Sequence, residues 1–337
     1  MPKRTLEKYR QLVGVRTDIK REVLDRQDYK YLESDVIKVR YTVHPFESKI
    51  PRNDAGSAYI VIPKERNGRI VFTAHQHGLC YSRGKSQVFG HGIPGSFTPS
   101  NDYKGVEDQV YGIELVESGF IVISSDVIPF EDRMFFDELT PAYKLDSTDS
   151  WQLCNMERYV DEHERSRGRN LASRHLYDDM GAIDVAQEIL GQEITELGAI
   201  GHSMGGGRIF NLLMLDPRVK VGVSSCGLVS VEGYHKLGLF HNYAFALPGA
   251  VSEGLDYQEA VKLVPEYKFL MMFFGEHDNV YPLQGTLPVM RASDPLSNVS
   301  YRMHNGMHEF PDDCRSQSYR FLNGKLKRFD NKIAFVR

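Results

Sequence analysis

The chain has 337 residues, 41% of them hydrophobic and 26% charged, with a formal net charge of -4. That balance is ordinary for a globular protein with a large core, and it excludes the basic footprint of a nucleic-acid binder. No apolar run approaches the roughly 20 residues needed to span a bilayer, so neither a membrane nor a nucleic acid is expected as a partner.

Residues 1–30 are rich in Lys, Arg and Glu with spaced Leu, Val and Ile. This pattern predicts an amphipathic helical segment lying on the body or forming the interface of a homo-oligomer. The first ten residues carry no apolar h-region, so a signal peptide is not expected. Four cysteines, Cys80, Cys154, Cys226 and Cys314, are scattered without metal-ligand spacing, as suits reduced thiols in a cytoplasmic protein.

Strands are predicted over 36–43, 57–62 and 69–74, separated by Pro, Gly and Asn. The third runs into His75-Gln76-His77-Gly78. The stretch from Gly78 to Ser86 resembles a phosphate-binding loop, but five residues separate Gly78 from Gly84 where the motif requires four, which argues against a nucleotide. His75, His77 and His91 lack a further spaced ligand set, so no metal is expected. A helix over 111–118, a strand over 120–124 and a helix over 176–190 follow. Further strands are predicted over 219–225, 268–274 and 299–303, with a closing helix over 314–326. Alternation of this kind predicts a mostly parallel sheet with helices on both faces and ligands beyond the carboxyl ends of its strands. Two stretches, about 128–174 and 228–255, fall outside the pattern and read as cap-like insertions over that edge of a domain spanning 31–337.

One junction carries the chemistry. The apolar run Glu196-Leu197-Gly198-Ala199-Ile200 leads into Gly201-His202-Ser203-Met204-Gly205-Gly206 and then into the dense helix pattern of 209–215. GxSxG between a strand and a helix is the nucleophile elbow, a strained turn that lifts a serine hydroxyl off the sheet. Three glycines in the first turn of a helix cost about 1 kcal/mol each relative to alanine, so local stability does not account for them. Ser203 is therefore the candidate nucleophile. It needs a histidine to take its proton and a carboxylate to orient that histidine, in the chain order Ser, acid, His. Asp278 follows the strand over 268–274 and is the candidate acid, with Glu276 as local rival. His308, in the glycine-containing loop after 299–303, is the candidate base, with His304 second. For the oxyanion, Met204 supplies one backbone N–H, and Gln76 or His77 the other.

With these residues in place the chain resembles the dienelactone-hydrolase-like and acetyl-xylan-esterase-like branch of the α/β-hydrolases. The resemblance runs from about residue 35 onward. It rests on the elbow, on His75-Gln76-His77 followed by Gly84-Lys85-Ser86 and Gly90, and on Asp126 with Phe130-Glu131-Asp132-Arg133. Val264-Pro265-Glu266-Tyr267 and Gly306-Met307-His308-Glu309-Phe310 complete it. The resemblance implies an α/β-hydrolase fold, with Ser203, Asp278 and His308 as nucleophile, acid and base. Dienelactone hydrolases proper carry a cysteine where this chain has Ser203, and Gln76 replaces a glycine of the usual oxyanion segment. The expected activity is that of a serine carboxylesterase without a cofactor, acting on a small-molecule ester with a small acyl (acetyl) group or on a lactone of a natural product. A serine peptidase or amidase with the same triad, and a noncatalytic binding module on this fold, are the alternatives. Tyr81, Phe89, Phe130, Phe135, Trp151, Tyr234, Phe240 and Tyr243 are the aromatic residues expected near the pocket.

Overall fold

Successive residues of the inner strands feed two separate cores, as the pleat of a strand requires when both faces of a sheet are covered. In Ile121–Asp126, for example, Ile121 and Ile123 enter one apolar cluster and Val122 the other. The computed structural model describes residues 2–14, 21–43, 55–77, 83–90, 93–96, 109–134, 150–239 and 247–328.

Among these residues the strands are β1 (Val23–Tyr31), β2 (Ser34–Tyr41), β3 (Gly56–Pro63), β4 (Ile70–Ala74), β5 (Ile121–Asp126), β6 (Leu197–His202), β7 (Val219–Ser225), β8 (Phe269–Gly275) and β9 (Val299–His304). They form one sheet in the order β1-β2-β3-β5-β4-β6-β7-β8-β9. Pairing is antiparallel from β1 to β5 and parallel from β5 across to β9. The helices are α1 (Pro2–Val13), α2 (Tyr111–Glu117), α3 (Ser150–Arg165), α4 (Leu171–Leu190), α5 (Met204–Leu215), α6 (Val231–Lys236), α7 (Tyr257–Ala260), α8 (Leu283–Ser293) and α9 (Asp312–Lys325). α1, α4, α5 and α8 contribute to the core on one face, and α2 and α9 to the core on the other. No helix among the described residues is long and apolar enough to cross a membrane.

The N-terminal expectation needs correction. Among the described residues the helix covers Pro2–Val13, and Val23–Tyr31, nearly all of it inside the segment read as helical, is an edge strand of the sheet. It is held by a two-residue turn in which Leu32 and Glu33 both have positive φ, 47° and 54°, the geometry of a tight hairpin. Its side chains are mostly exposed and include Asp25, Arg26, Asp28 and Lys30, which guards an edge strand but blurs the alternation that marks a strand in sequence. α4 also starts earlier than the apolar pattern predicts, because Asn170 Oδ1 accepts from Ser173 N at 2.8 Å and caps the helix at Leu171.

Candidate active site

β4 and β6 are parallel neighbours at the middle of the sheet, with Ala74 opposite Gly201. Loops leaving their carboxyl ends therefore emerge side by side. Ser203 stands between β6 and α5 with φ 56° and ψ -124°, a conformation that costs a non-glycine residue strain. The glycines around it are explained by crowding. A Cβ on Gly205 would lie 2.2 Å from the Ala74 carbonyl oxygen and 2.7 Å from that of His75, and one on Gly201 would lie 2.5 Å from the Gly205 carbonyl. α5 thus sits so close to β4 that Gly205 admits no side chain, and the lost helix propensity there is the cost of that approach.

The three residues named for the chemistry stand in one line. His308 Nε2 lies 2.8 Å from Ser203 Oγ, and His308 Nδ1 lies 2.8 Å from Asp278 Oδ2. A carboxylate only accepts, so Nδ1 carries the proton and Nε2 turns its lone pair to the serine hydroxyl. The other oxygen of Asp278 accepts from Val280 N at 2.8 Å and Tyr281 N at 2.7 Å, which locks the carboxylate in place. Glu276 is exposed to solvent, and its backbone N–H donates to the His304 carbonyl. His304 is buried away from Ser203, with Nε2 4.0 Å from Cys226 Sγ, and burial depresses its pKa. Between these two pairs of rivals the fold brings Asp278 and His308 to the serine.

Several residues that sequence reasoning gave no role support this line. The His202 ring lies 5.0 Å from that of His308, stacks on Phe310 and hydrogen-bonds through Nδ1 with Ser225 Oγ at 3.0 Å. Burial, then the neighbouring His308, lowers its pKa well below the usual histidine range, so it is neutral. Tyr281 meets the His308 ring edge-on at 5.3 Å. Cys226, Asp278 and His308 bring their potential ligand atoms within 4.8 Å of one another. Asp278 and His308 are already bonded to each other, and burial raises the Cys226 thiol pKa, so the arrangement suits proton transfer rather than a metal.

On the oxyanion side, Met204, Gln76 and His77 are all buried beside the elbow. His77 Nε2 lies 3.1 Å from Glu157 Oε1 of α3, and both the His75 and His77 rings abut Phe130, at 4.9 and 5.3 Å. The loop after β4 is therefore tied to α3, within the first insertion, by Glu157. Nothing in the spacing of residues 150–165 singles out that carboxylate.

Gly84-Lys85-Ser86 is engaged internally. Lys85 is fully buried, with Nζ 2.6 Å from Asp126 Oδ2, 2.9 Å from Asp132 Oδ2 and 3.3 Å from Glu131 Oε1. Gly84 N and Ser86 N both donate to Glu131 Oε2, at 3.0 and 2.9 Å. Backbone N–H groups and an ammonium that would serve a phosphate are here satisfied by carboxylates. The Asp126 and Glu131-Asp132 elements quoted from sequence are the partners of this lysine. Arg133 is likewise buried and pairs with Asp178 of α4.

Of the expected pocket aromatics, Phe130 and Tyr234 are fully or almost fully buried, Phe130 against the histidine loop and Tyr234 against Tyr281. Phe89 packs edge-on against Tyr59. Trp151 lies on α3, where its side chain is outside the described residues, as are Tyr81, Phe135, Phe240 and Tyr243, and His91 among the histidines weighed for a metal.

No family model matches the chain. A protein of Bacillus subtilis (strain 168) with the provisional name hydrolase YtaP is 25% identical over 237 residues, covering 69% of this chain and 69% of its own. Among solved structures, glucuronoyl esterase from Solibacter usitatus is similar at a TM-score of 0.63 and 13% identity, covering 93% of this chain and 88% of its own. Acetyl xylan esterase 1 from Thermoanaerobacterium sp. JW/SL YS485 is similar at a TM-score of 0.59 and 15% identity, covering 97% of this chain and 92% of its own. These likenesses show the fold: the chain has the α/β-hydrolase fold that the resemblance implied.

Proposed function

We propose that the protein is a serine esterase that hydrolyses a small carboxylic ester through an acyl-enzyme intermediate. The observation that carries this reading is the unbroken line from Asp278 through His308 to Ser203, with both bonds at 2.8 Å and the serine held at a strained elbow. The geometry supports the following course of reaction. As Ser203 Oγ attacks the carbonyl carbon, its proton passes to His308 Nε2, and Asp278 stabilises the imidazolium that forms. Negative charge gathers on the former carbonyl oxygen, where the Met204 N–H and an N–H of the Gln76–His77 segment would meet it. Collapse of the tetrahedral intermediate breaks the ester bond, and the alcohol leaves with the proton from His308. Water, deprotonated by the same nitrogen, then releases the acid and restores Ser203.

Similarity in fold to esterases, and the weaker sequence similarity to a hydrolase, support ester hydrolysis as the reaction. A serine rather than a cysteine at the elbow favours simple carboxylic esters, among them acetyl esters. The test is hydrolysis of nitrophenyl acetate, with labelling by a fluorophosphonate. Wild type is expected to be active and labelled, and folded Ser203→Ala neither. Full activity in Ser203→Ala, or a folded wild type that resists the probe, would overturn the proposal.

A further inference from the structure

Beside the nucleophile lies a small cavity that the reaction as described does not use. It lies between α4 and α5, and its largely apolar lining includes His175 and Asp179 from one helix, Met204, Arg208 and Asn211 from the other, and Tyr281. The free space, about 20 Å³, holds one water-sized group.

Asp179 accepts from Ser125 Oγ at 2.7 Å and from Arg208 Nε at 3.1 Å, Arg208 also donates to the His75 carbonyl at 3.4 Å, and Asn211 Oδ1 accepts from the Tyr9 hydroxyl. His175 is the exception. It is fully buried, and Nε2 lies 2.8 Å from the Ile128 carbonyl oxygen. A carbonyl cannot donate, so Nε2 carries the hydrogen and Nδ1 is a bare acceptor. That nitrogen has no partner among the described residues. Burial, then the Arg208 charge, lowers the His175 pKa well below the ordinary histidine range, which keeps the ring neutral and the lone pair available. A buried acceptor without a donor is rare in folded proteins and marks a place for a bound group. The Asp179 carboxylate disfavours an anion there and Arg208 a cation, which leaves a neutral donor of the size of a hydroxyl.

Position selects the substrate part. Met204 directly follows Ser203 and carries the N–H assigned to the oxyanion, while Tyr281 packs on His308. The acyl group stays beside Ser203 and Met204 through both steps, whereas the alcohol departs with the proton from His308. Resting on the esterase reading above, we propose that this cavity is an acyl subsite for a hydroxyl group, with His175 Nδ1 accepting its hydrogen bond. The preferred substrates are then esters of short hydroxy acids.

The experiment compares kcat/KM of the intact protein on paired nitrophenyl esters, hydroxyacetate against acetate and 3-hydroxypropionate against propionate, each ratio divided by the ratio of hydroxide-catalysed rates. The corrected ratio is expected to favour the hydroxyacyl ester in at least one pair by about tenfold, the worth of one good hydrogen bond. In His175→Phe that ratio should fall to near one, and His175→Gln, which can donate to Ile128 and still accept, should recover part of it. Corrected ratios within twofold of one for both pairs in wild type would overturn the subsite and leave a water-filled cavity, as would a preference that survives in His175→Phe. The wild-type ratio decides the matter even if the variants do not fold. Failure of the esterase reading is read separately, from Ser203→Ala on the acetate ester.

Discussion

Replacing Asp278 by Asn tests the proposed line of proton transfer with little change of shape. The oxygen of Asp278 that accepts from Val280 N and Tyr281 N, at 2.8 and 2.7 Å, can be kept by the Asn carbonyl. The amide nitrogen then takes the place of the oxygen 2.8 Å from His308 Nδ1. Two donors cannot face each other, so His308 must move its hydrogen to Nε2, where it points at Ser203 Oγ and the base is lost. The equivalent change in serine proteases lowers kcat about 10,000-fold, which corresponds to about 5 kcal/mol in the barrier. A fall of that size is expected here, with KM for nitrophenyl acetate and the urea midpoint nearly unchanged. Asp278→Ala should differ: it removes the acceptor from two backbone N–H groups and should lower stability as well, by roughly 1–3 kcal/mol for each left unpaired. The assays are steady-state kinetics and urea denaturation on the same preparations. An Asn variant within tenfold of wild-type kcat would refute the assigned role of Asp278. So would an Asn variant as unstable as the Ala one, since the locked carboxylate would then not be held as described.

Two further predictions concern the scaffold. Lys85→Met should destabilise the protein by about 3–5 kcal/mol, read from denaturant midpoints, because it leaves the buried Asp126 and Glu131 facing each other without the ammonium between them. Glu114 on α2 accepts from Arg315 Nε and Nη2 of α9, both at 2.9 Å, and from the Tyr319 hydroxyl. Burial alone would raise its pKa, but the Arg315 and Tyr319 bonds outweigh it and the net shift is downward. A carboxylate with a depressed folded value stabilises the protein above its unfolded pKa, about 4.3, and that contribution is lost as pH falls through the lower folded value. Glu114→Gln should therefore cost roughly 1–2 kcal/mol near pH 7 and nothing once Glu114 is protonated in wild type. A constant difference between pH 7 and pH 3 would refute the ion-pair explanation.

Local signals in the sequence located the elbow and the strand ends around it. Parallel strands covered on both faces read as apolar runs, the glycines after Ser203 stand out against helix propensity, and the chain order of a serine, an acid and a histidine can be followed without coordinates. Such signals act over a few residues, and what they could not decide depends on contacts between distant ones. Glu276 and Asp278 are two positions apart, and only the packed loop shows that one faces solvent while the other meets His308. Strand β1 was misread because its partner, β2, supplies the order that its own exposed charges do not. The glycine spacing already argues against a phosphate loop at Lys85, but what the lysine does instead depends on carboxylates 41 to 47 positions away. That His175 Nδ1 has no partner among the described residues, and that His175 lines the cavity between α4 and α5, can be read from the tertiary structure alone. The sequence thus determined that a serine is poised at the carboxyl edge of the sheet, and the fold decided which groups reach it, because hydrogen bonds and ion pairs in a dry interior depend on distances that no stretch of chain sets by itself.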